Sequence, residues 1–197
     1  DMRWNNKRTN RALTDKYMRT VFPEVLSGLK VLHENKILHL DIKPANILLR
    51  SGGHPLLIDF GAVKQAEGTG SLEVKGQTLT QGYAPLEQHN HGNIGEWSDI
   101  YGVGATMYSC LSGKPPPPAI ERVSRDELET EIMAFEKKGY SRSLLESMVL
   151  ALKMDLTQRT QGVEAFQELL KTRTDKSRVM SFLNQPVRLG IGRTNKS

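Results

Sequence analysis

Two short apolar runs with a turn between them fix the local geometry of the chain more firmly than any other feature. Residues 47–49 (ILL) and 56–58 (LLI) each predict a short strand, and residues 51–55 (SGGHP) are rich in turn-forming types. The pattern predicts an antiparallel hairpin, which returns the chain to the end at which it started. Polar residues that flank the two runs are therefore brought close together.

Four polar residues lie beside this hairpin. Asn46 precedes the first run and Asp59 follows the second, so their side chains are predicted to share one small volume. Such oxygen ligands suit Mg²⁺, which takes few protein ligands and uses phosphate oxygens for the rest. Asp41 is placed to accept a proton from an attacking hydroxyl, and Lys43 adds positive charge for a transferring phosphoryl group. This set indicates phosphoryl transfer.

Residues 39–46 (HLDIKPAN) resemble the catalytic loop of protein kinases, and residues 59–61 (DFG) resemble the motif that follows it. Either match alone is weak, because an Asp-Phe-Gly triplet occurs by chance in many chains. Three further segments, in the family's order, strengthen the resemblance, which covers about residues 1–172. They are residues 83–88 (YAPLEQ), similar to the end of the activation loop, 99–104 (DIYGVG), similar to the start of the helix beneath the catalytic loop, and 155–159 (DLTQR), similar to a late motif that carries an arginine.

The resemblance implies a role for each matching residue of the predicted active site. Asp41 would be the catalytic base, with Lys43 near the transferred phosphate. ATP would be the phosphate donor, and Leu48 would pack under its adenine. Asn46 and Asp59 would bind Mg²⁺, and Mn²⁺ would also fit there.

Further roles implied by the resemblance are structural. Asp99 would anchor the catalytic loop from below, and His39 and Phe60 would stack in the core that aligns the active site. Arg159 would pair with Glu87 and join the end of the activation segment to the last helices.

The substrate class is predicted from two positions. Lys43, two residues after Asp41, and Thr80, three before Tyr83, match the branch of the family that phosphorylates Ser and Thr of protein substrates. The style of residues 82–88 is similar to that of bacterial Ser/Thr kinases of the eukaryotic type.

Two alternatives stay open at this point. A small-molecule phosphotransferase of the aminoglycoside or choline kinase kind shares the two aspartates and the asparagine, although such enzymes generally lack the end of the activation loop and the docking threonine. A pseudokinase or docking module would keep the fold as a binding surface. Against the latter, Asp41, Lys43, Asn46 and Asp59 are all present.

The expected fold class is an α+β protein-kinase-like fold, with residues 1–172 forming a mainly α-helical C-terminal lobe with a short β-hairpin at the catalytic loop. The Gly-rich loop and the paired lysine and glutamate of the family would lie before Asp1. We therefore expect the N-terminal lobe to be absent from the chain and to be its partner, and residues 1–197 alone to be inactive. Residues 173–197 are expected to be a basic tail or linker.

Helix patterns fill most of the remaining sequence. The first runs from Thr14 to about Leu32, capped by Thr14 or Asp15, and Pro23 is predicted to kink it or end a first segment. A capping box at Ser124 predicts a later helix. The other predicted elements are helices at 97–111, 126–137, 144–153 and 163–171, a loop at 64–80 and an extended connector at 115–118.

Charge and cysteine content narrow the partners and the compartment. The formal net charge is +5, but residues 171–197 hold seven Lys and Arg against one Asp, which leaves residues 1–170 at −1. A near-neutral body argues against a nucleic-acid-binding face. No apolar run approaches the ~20 residues of a membrane span. The single cysteine, Cys110, favours a reducing compartment and hence a cytoplasmic location.

Leu40 is the main departure from the family pattern, because many regulated kinases have at this position an arginine that receives the phosphate of the activation loop. Leucine cannot pair with a phosphate. We therefore predict that the activation segment, from about Lys64 to Thr80, works without phosphorylation. Leu86, where the family motif has proline, is a smaller departure.

Overall fold

The computed structural model describes residues 13–59, 64–65, 79–90 and 92–172, with the backbone alone described at 64–65. This part of the chain is mainly helical and carries two small antiparallel sheets. Its helices and strands, in order, are α1 (Asp15–Glu34), β1 (Ile37–Leu38), β2 (Ile47–Leu49), β3 (Pro55–Leu57), β4 (Lys64–Gln65), α2 (Leu86–His89), α3 (Glu96–Ser112), α4 (Ala119–Arg122), α5 (Leu128–Met133), α6 (Arg142–Ala151) and α7 (Val163–Lys171), with 3₁₀ turns at Pro44–Asn46 and Ala134–Lys138.

Helix α1 begins where its cap was predicted. The Thr14 hydroxyl accepts a hydrogen bond from Tyr17 N at 3.2 Å, which satisfies one of the free amides of the first turn. The helix continues through Pro23 to Glu34, so of the two predicted effects of this proline the end of a first segment does not occur. A proline in a helix interior costs about 3 kcal/mol. The buried apolar face of α1 outweighs this cost, and it consists of Met18, Val21, Phe22, Val25, Leu26 and Leu29.

The predicted hairpin forms with a small shift. β2 and β3 pair antiparallel, with Leu48 opposite Leu56 and Leu49 opposite Pro55, so the second strand begins one residue earlier than predicted. Ile58 lies outside the ladder, and its amide donates to Asn46 O at 2.9 Å. This bond closes the end of the hairpin at which the predicted site residues lie.

A second sheet was not predicted. β1 pairs antiparallel with β4, which places Leu38 opposite Lys64. The prediction of a loop over residues 64–80 is therefore wrong at its first two residues. A two-residue strand is too short to show the alternation by which a sequence pattern reveals a strand.

Helix α3 passes beneath the loop of residues 39–46 at close range. A Cβ at Gly102 would lie 3.1 Å from Ile42 Cβ, and one at Gly104 would lie 2.9 Å from Ala151 Cβ on α6. These positions therefore let α3 approach both the loop and α6 more closely than larger side chains allow. The core around Ile100 and Met107 of α3 also contains residues of α1, α6 and α7, among them Phe22, Leu29, Leu145, Met148 and Phe166.

The capping box predicted at Ser124 and Glu127 does not form. Asp126 Oδ1 instead accepts from Leu128 N at 3.3 Å, so α5 begins at Leu128 and not at residue 126. The helix is also shorter than predicted, because it passes into the 3₁₀ turn over Ala134–Lys138. Helix α4 was missed by the sequence patterns, whereas α3 and α7 lie within one residue of their predicted bounds and α6 lies two residues earlier.

None of the helices in the described part of the chain is long and apolar enough to span a bilayer.

Candidate active site

A buried carboxylate fixes the catalytic loop to α3. Asp99, in the first turn of α3, is 1% exposed, and its oxygens accept from the backbone amides of His39 at 2.9 Å and Leu40 at 2.7 Å. His33 Nε2, on α1, lies 2.8 Å from Asp99 Oδ2. Burial of a carboxylate is tolerated only with such donors. The position of Asp41, the next residue of the loop, is thereby tied to two helices.

Asp41 lies at the centre of a polar network. Thr80 Oγ1 donates to its Oδ1 at 2.7 Å, and Lys43 Nζ donates to its Oδ2 at 2.7 Å. Asn46 Nδ2 adds a bond to Oδ2 at 3.0 Å and one to the Asp41 carbonyl at 2.8 Å. Lys43 Nζ also donates to Thr80 Oγ1 at 2.9 Å. The structure thus brings together four residues that lie up to 39 positions apart in sequence.

Asn46 and Asp59 flank the end of the hairpin that lies opposite its turn. The bond from Ile58 N to Asn46 O holds the chain there, so Asp59 follows directly beside Asn46. Because the amide nitrogen of Asn46 is committed to Asp41, its carbonyl oxygen is the atom that can bind a cation. One amide oxygen and one exposed carboxylate fit the oxygen preference of Mg²⁺ and leave room for phosphate oxygens.

The hairpin presents an apolar face beside these polar residues. Ile47 and Leu57 are buried against the core, whereas the opposed pair Leu48 and Leu56 lies on the other face, with Leu56 43% exposed. An apolar surface of this kind fits a planar base such as adenine.

The sequence predicts that His39 and Phe60 lie in the core beside the active site, and the structure describes the first of them. His39 is fully buried, and its Nδ1 accepts from Asp41 N at 3.4 Å. Phe60 lies outside the described residues.

Glu87 and Arg159 form the predicted pair. Arg159 Nη1 lies 2.6 Å from Glu87 Oε1 and Nη2 lies 3.3 Å from Oε2, a two-pronged arrangement with both side chains buried. Further bonds satisfy the remaining atoms, since Ser98 Oγ donates to Glu87 Oε1 at 2.9 Å and Arg159 Nε donates to Lys153 O at 2.8 Å. The guanidinium also lies 5.1 Å from the ring centre of Tyr101.

The segment before α2 is held against the loop that follows α3. Gly82 has φ +82°, and a Cβ there would lie 2.5 Å from Pro116 O, so glycine is required on both counts. The hydroxyls of Tyr83 and Ser109 form a hydrogen bond of 2.8 Å. Burial raises the pKa of Tyr83, which keeps its hydroxyl protonated. Thr80 is thus presented to Asp41 from a fixed segment.

Two site residues have no role in the sequence-based prediction. His33 follows Leu29 by one helical turn on the buried face of α1, and a histidine at that position signals a buried polar partner. Gln88 Nε2 donates to Leu40 O at 3.0 Å. No local pattern reveals this contact, because its acceptor is a backbone atom 48 positions away.

Comparison with known proteins shows which family has a similar sequence. A family model described as the protein kinase domain matches residues 3–176. The serine/threonine-protein kinase PknA of Nostoc sp. is 36% identical over 150 residues, which cover 73% of this chain and 25% of that protein. The serine/threonine-protein kinase KIC1 of Saccharomyces cerevisiae is 30% identical over 164 residues, which cover 82% of this chain and 15% of that protein.

A solved structure shows the same fold. The structure titled "PpkA-294 apo form" aligns with a TM-score of 0.72 at 27% identity and covers 86% of this chain. The match spans 59% of that solved chain and about a quarter of the length of the PknA relative. Because the family model matches most of the residues and the fold agrees, this chain belongs to the protein kinase family, in its eukaryotic-type Ser/Thr branch.

Proposed function

We propose that the complete protein transfers the γ-phosphoryl group of ATP to Ser and Thr hydroxyls of protein substrates, and that this chain supplies the catalytic base and the peptide-docking segment. The observation that carries the proposal is the network around Asp41, in which Thr80, Lys43 and Asn46 all donate to one carboxylate. Three donors hold that carboxylate in one orientation, as a general base requires.

The two oxygens of Asp41 differ in their partners. Oδ2 accepts from Lys43 and Asn46, whereas Oδ1 accepts from Thr80. A carboxylate oxygen has two lone pairs, so Oδ1 retains one for the hydroxyl of an incoming Ser or Thr. The proton of that hydroxyl passes to Asp41 as the hydroxyl oxygen bonds to the γ-phosphorus, and the bond from that phosphorus to the bridging oxygen breaks, so that ADP leaves. Positioning of this kind supplies much of the rate enhancement in phosphoryl transfer.

The Thr80 hydroxyl links three functions. It donates to the base, accepts from Lys43 and belongs to the docking segment, so one side chain joins the segment to the base. Lys43 Nζ, held 2.7 Å from Asp41, brings a positive charge to the site of transfer. Asn46 and Asp59 would hold Mg²⁺, which when bound neutralises charge on the phosphates of ATP. An N-terminal lobe elsewhere in the complete protein would cover those phosphates.

Two observations favour a protein substrate over a small molecule. Thr80 is bonded to Asp41, and Gly82 of the same segment packs closely against the loop at Pro116, so the segment lies beside the proposed base, where an extended peptide would dock. The end of this segment is anchored by the buried pair of Glu87 and Arg159. A catalyst for small molecules needs neither feature.

The test uses the complete protein with labelled ATP, Mg²⁺ and a peptide library that contains Ser, Thr or Tyr as the acceptor. We expect transfer to Ser and Thr. Asp41→Asn is expected to lower turnover by about 10²–10⁴-fold while Mg-ATP affinity is retained, because the base is lost and the metal site is not. Asp59→Asn is expected to abolish activity and to weaken Mg-ATP binding.

Three results would contradict the proposal. A wild-type protein that binds ATP but transfers nothing would support a docking module. Transfer to aminoglycosides or choline and not to peptides would support a small-molecule phosphotransferase. Equal loss of Mg-ATP binding in Asp41→Asn and Asp59→Asn would show that the two roles are wrongly assigned.

A further inference from the structure

The peptide groups on both sides of Leu40 are held by buried side chains. Leu40 has φ +61°, in the left-handed region that a bulky residue rarely adopts. Asp99 Oδ1 accepts from its N–H at 2.7 Å, and Gln88 Nε2 donates to its C=O at 3.0 Å. Both ends of a strained residue are therefore clamped, one from α3 and one from α2.

This clamp bears directly on the base. The carbonyl that Gln88 holds belongs to the peptide bond between Leu40 and Asp41, so rotation of that peptide would re-aim the Asp41 side chain. Relaxation of Leu40 toward an ordinary backbone conformation is favourable unless its surroundings oppose it. Asp99 fixes only the N–H side of the residue. The peptide between Leu40 and Asp41 is held on its carbonyl side by the amide of Gln88, and its N–H makes a longer bond of 3.4 Å to His39 Nδ1.

Gln88 is built to hold this position. Its side chain is 3% exposed, and only the nitrogen of its amide can donate to a carbonyl. Its neighbour in the chain, Glu87, is fixed by Arg159, which holds the backbone of α2 in place. Loss of the donor would leave the Leu40 carbonyl buried without a hydrogen bond. A buried acceptor without a donor carries the full cost of its desolvation.

We propose that Gln88 is a positioning residue that transmits the anchored state of the activation segment to the catalytic base through the Leu40 carbonyl. This inference rests on the proposed kinase function. The link uses a neutral amide and a backbone atom, and it needs no phosphate on the segment. The Gln88 contact therefore couples the activation segment to the catalytic base through the main chain of Leu40. The leucine side chain itself cannot bind a phosphate on the segment.

The first test compares Gln88→Leu, Gln88→Glu and the wild type in the complete protein. Gln88→Leu removes the donor, and we expect kcat to fall about tenfold or more with the KM for Mg-ATP changed less than about twofold. In Gln88→Glu the ionised carboxylate cannot donate, but its protonated form can. Burial raises the pKa of a carboxyl group, so kcat relative to wild type is expected to rise as the pH is lowered from 8 to 6.

The matched control is Gln167→Glu. Gln167 Nε2 also donates to a backbone carbonyl, that of Pro23, at 3.2 Å, but it lies on α7, away from the catalytic loop. Its kcat relative to wild type is expected to stay near one at every pH. The other ionisable groups around Gln88 and the Leu40 peptide are common to all variants, and they are Asp41, Lys43, Glu87, Asp99, Arg159, His33, His39 and His89.

A second test needs no enzymatic activity. Site-resolved hydrogen exchange of the amides of His39, Leu40 and Asp41 reports opening of the clamped loop, because these amides bond to Asp99 or His39. We expect exchange about tenfold faster in Gln88→Leu than in wild type and unchanged in Gln167→Glu.

The outcomes separate this inference from the kinase proposal. If wild-type protein transfers no phosphate, the proposed function fails, and the exchange rates alone still decide whether Gln88 holds the loop. Unchanged exchange in Gln88→Leu would overturn the inference. In an active protein, a flat pH ratio for Gln88→Glu, or losses confined to KM, would overturn it while the proposed function stands.

Discussion

The carboxylate of Glu87 and the guanidinium of Arg159, 72 positions apart in sequence, meet at 2.6 Å in a pair whose arginine side chain is fully buried. The pair joins the end of the activation segment to the turn before α7. It lies one residue from Gln88, so the anchor of the segment and the contact with the catalytic loop belong to the same short helix, α2.

Arg159→Ala is expected to destabilise the protein by about 3–5 kcal/mol, because removal of one partner leaves the Glu87 carboxylate buried without its cation. The exposed pair of Arg125 and Glu127, with side chains 79% and 58% exposed, is the matched control. Arg125→Ala is expected to cost less than about 1 kcal/mol. Urea unfolding of both variants measures the difference. Equal decreases in the free energy of unfolding would show that burial does not make the pair of Glu87 and Arg159 more important for stability than the exposed pair.

The hairpin, the polar residues around it and the bounds of α7 could be predicted from sequence, because each depends on local pattern. Apolar residues of α7, such as Val163 and Phe166, recur at helical spacing and are buried. Asp41 and Asn46 are close in sequence and lie on one loop, so their proximity follows from the short turn between them.

Other features could not be predicted, because tertiary contacts decide them. Nothing in a leucine predicts φ +61°, which Leu40 adopts because Asp99 and Gln88 bind its two peptide groups. Helix α1 continues through Pro23 because the apolar face on both sides of the proline is buried. In the α5 region, Asp126 binds both Arg122 and the amide of Leu128, and this arrangement replaces the expected capping box.

Asp15 predicts a specific loss of stability in acid. Burial alone would raise its pKa, but hydrogen bonds from Ser141 and Arg19 outweigh burial and lower it. A lowered folded-state pKa means that the ionised form stabilises the fold. This contribution is complete above the unfolded pKa of about 3.9, and it is lost as the pH falls through the lower folded value.

Asp15→Asn is therefore expected to lose about 1–2 kcal/mol of stability at pH 7, since it keeps an acceptor but loses the charge. The difference from wild type is expected to hold down to about pH 5 and to shrink below about pH 4. Denaturant unfolding from pH 7 to pH 3 measures it. A difference that stays constant over this range would show that the ionised carboxylate is not the stabilising form.

The surroundings of Thr80 and Leu40 indicate that phosphorylation does not activate the protein. The Leu40 side chain is buried, 6% exposed, and apolar, so it gives no cationic partner to a phosphate on the activation segment. The Thr80 hydroxyl is already committed to Asp41 and Lys43. A phosphate on Thr80 would break this bridge and bring a charge of about −2 against the Asp41 carboxylate.

We therefore expect the complete enzyme to keep its turnover within about twofold after phosphatase treatment, with mass spectrometry showing Thr78 and Thr80 to be unmodified. Thr80→Ser retains the hydroxyl and is expected to remain active, whereas Thr80→Val removes the bridge and is expected to lower kcat by about tenfold or more. These paired variants show whether the free hydroxyl is the working form. A fall in turnover of about tenfold on dephosphorylation, restored by rephosphorylation, would contradict this prediction. It would mean that a cationic side chain other than one at position 40 binds the phosphate. The order of the segment would then depend on charge and not on the contacts of Thr80, Glu87 and Gln88.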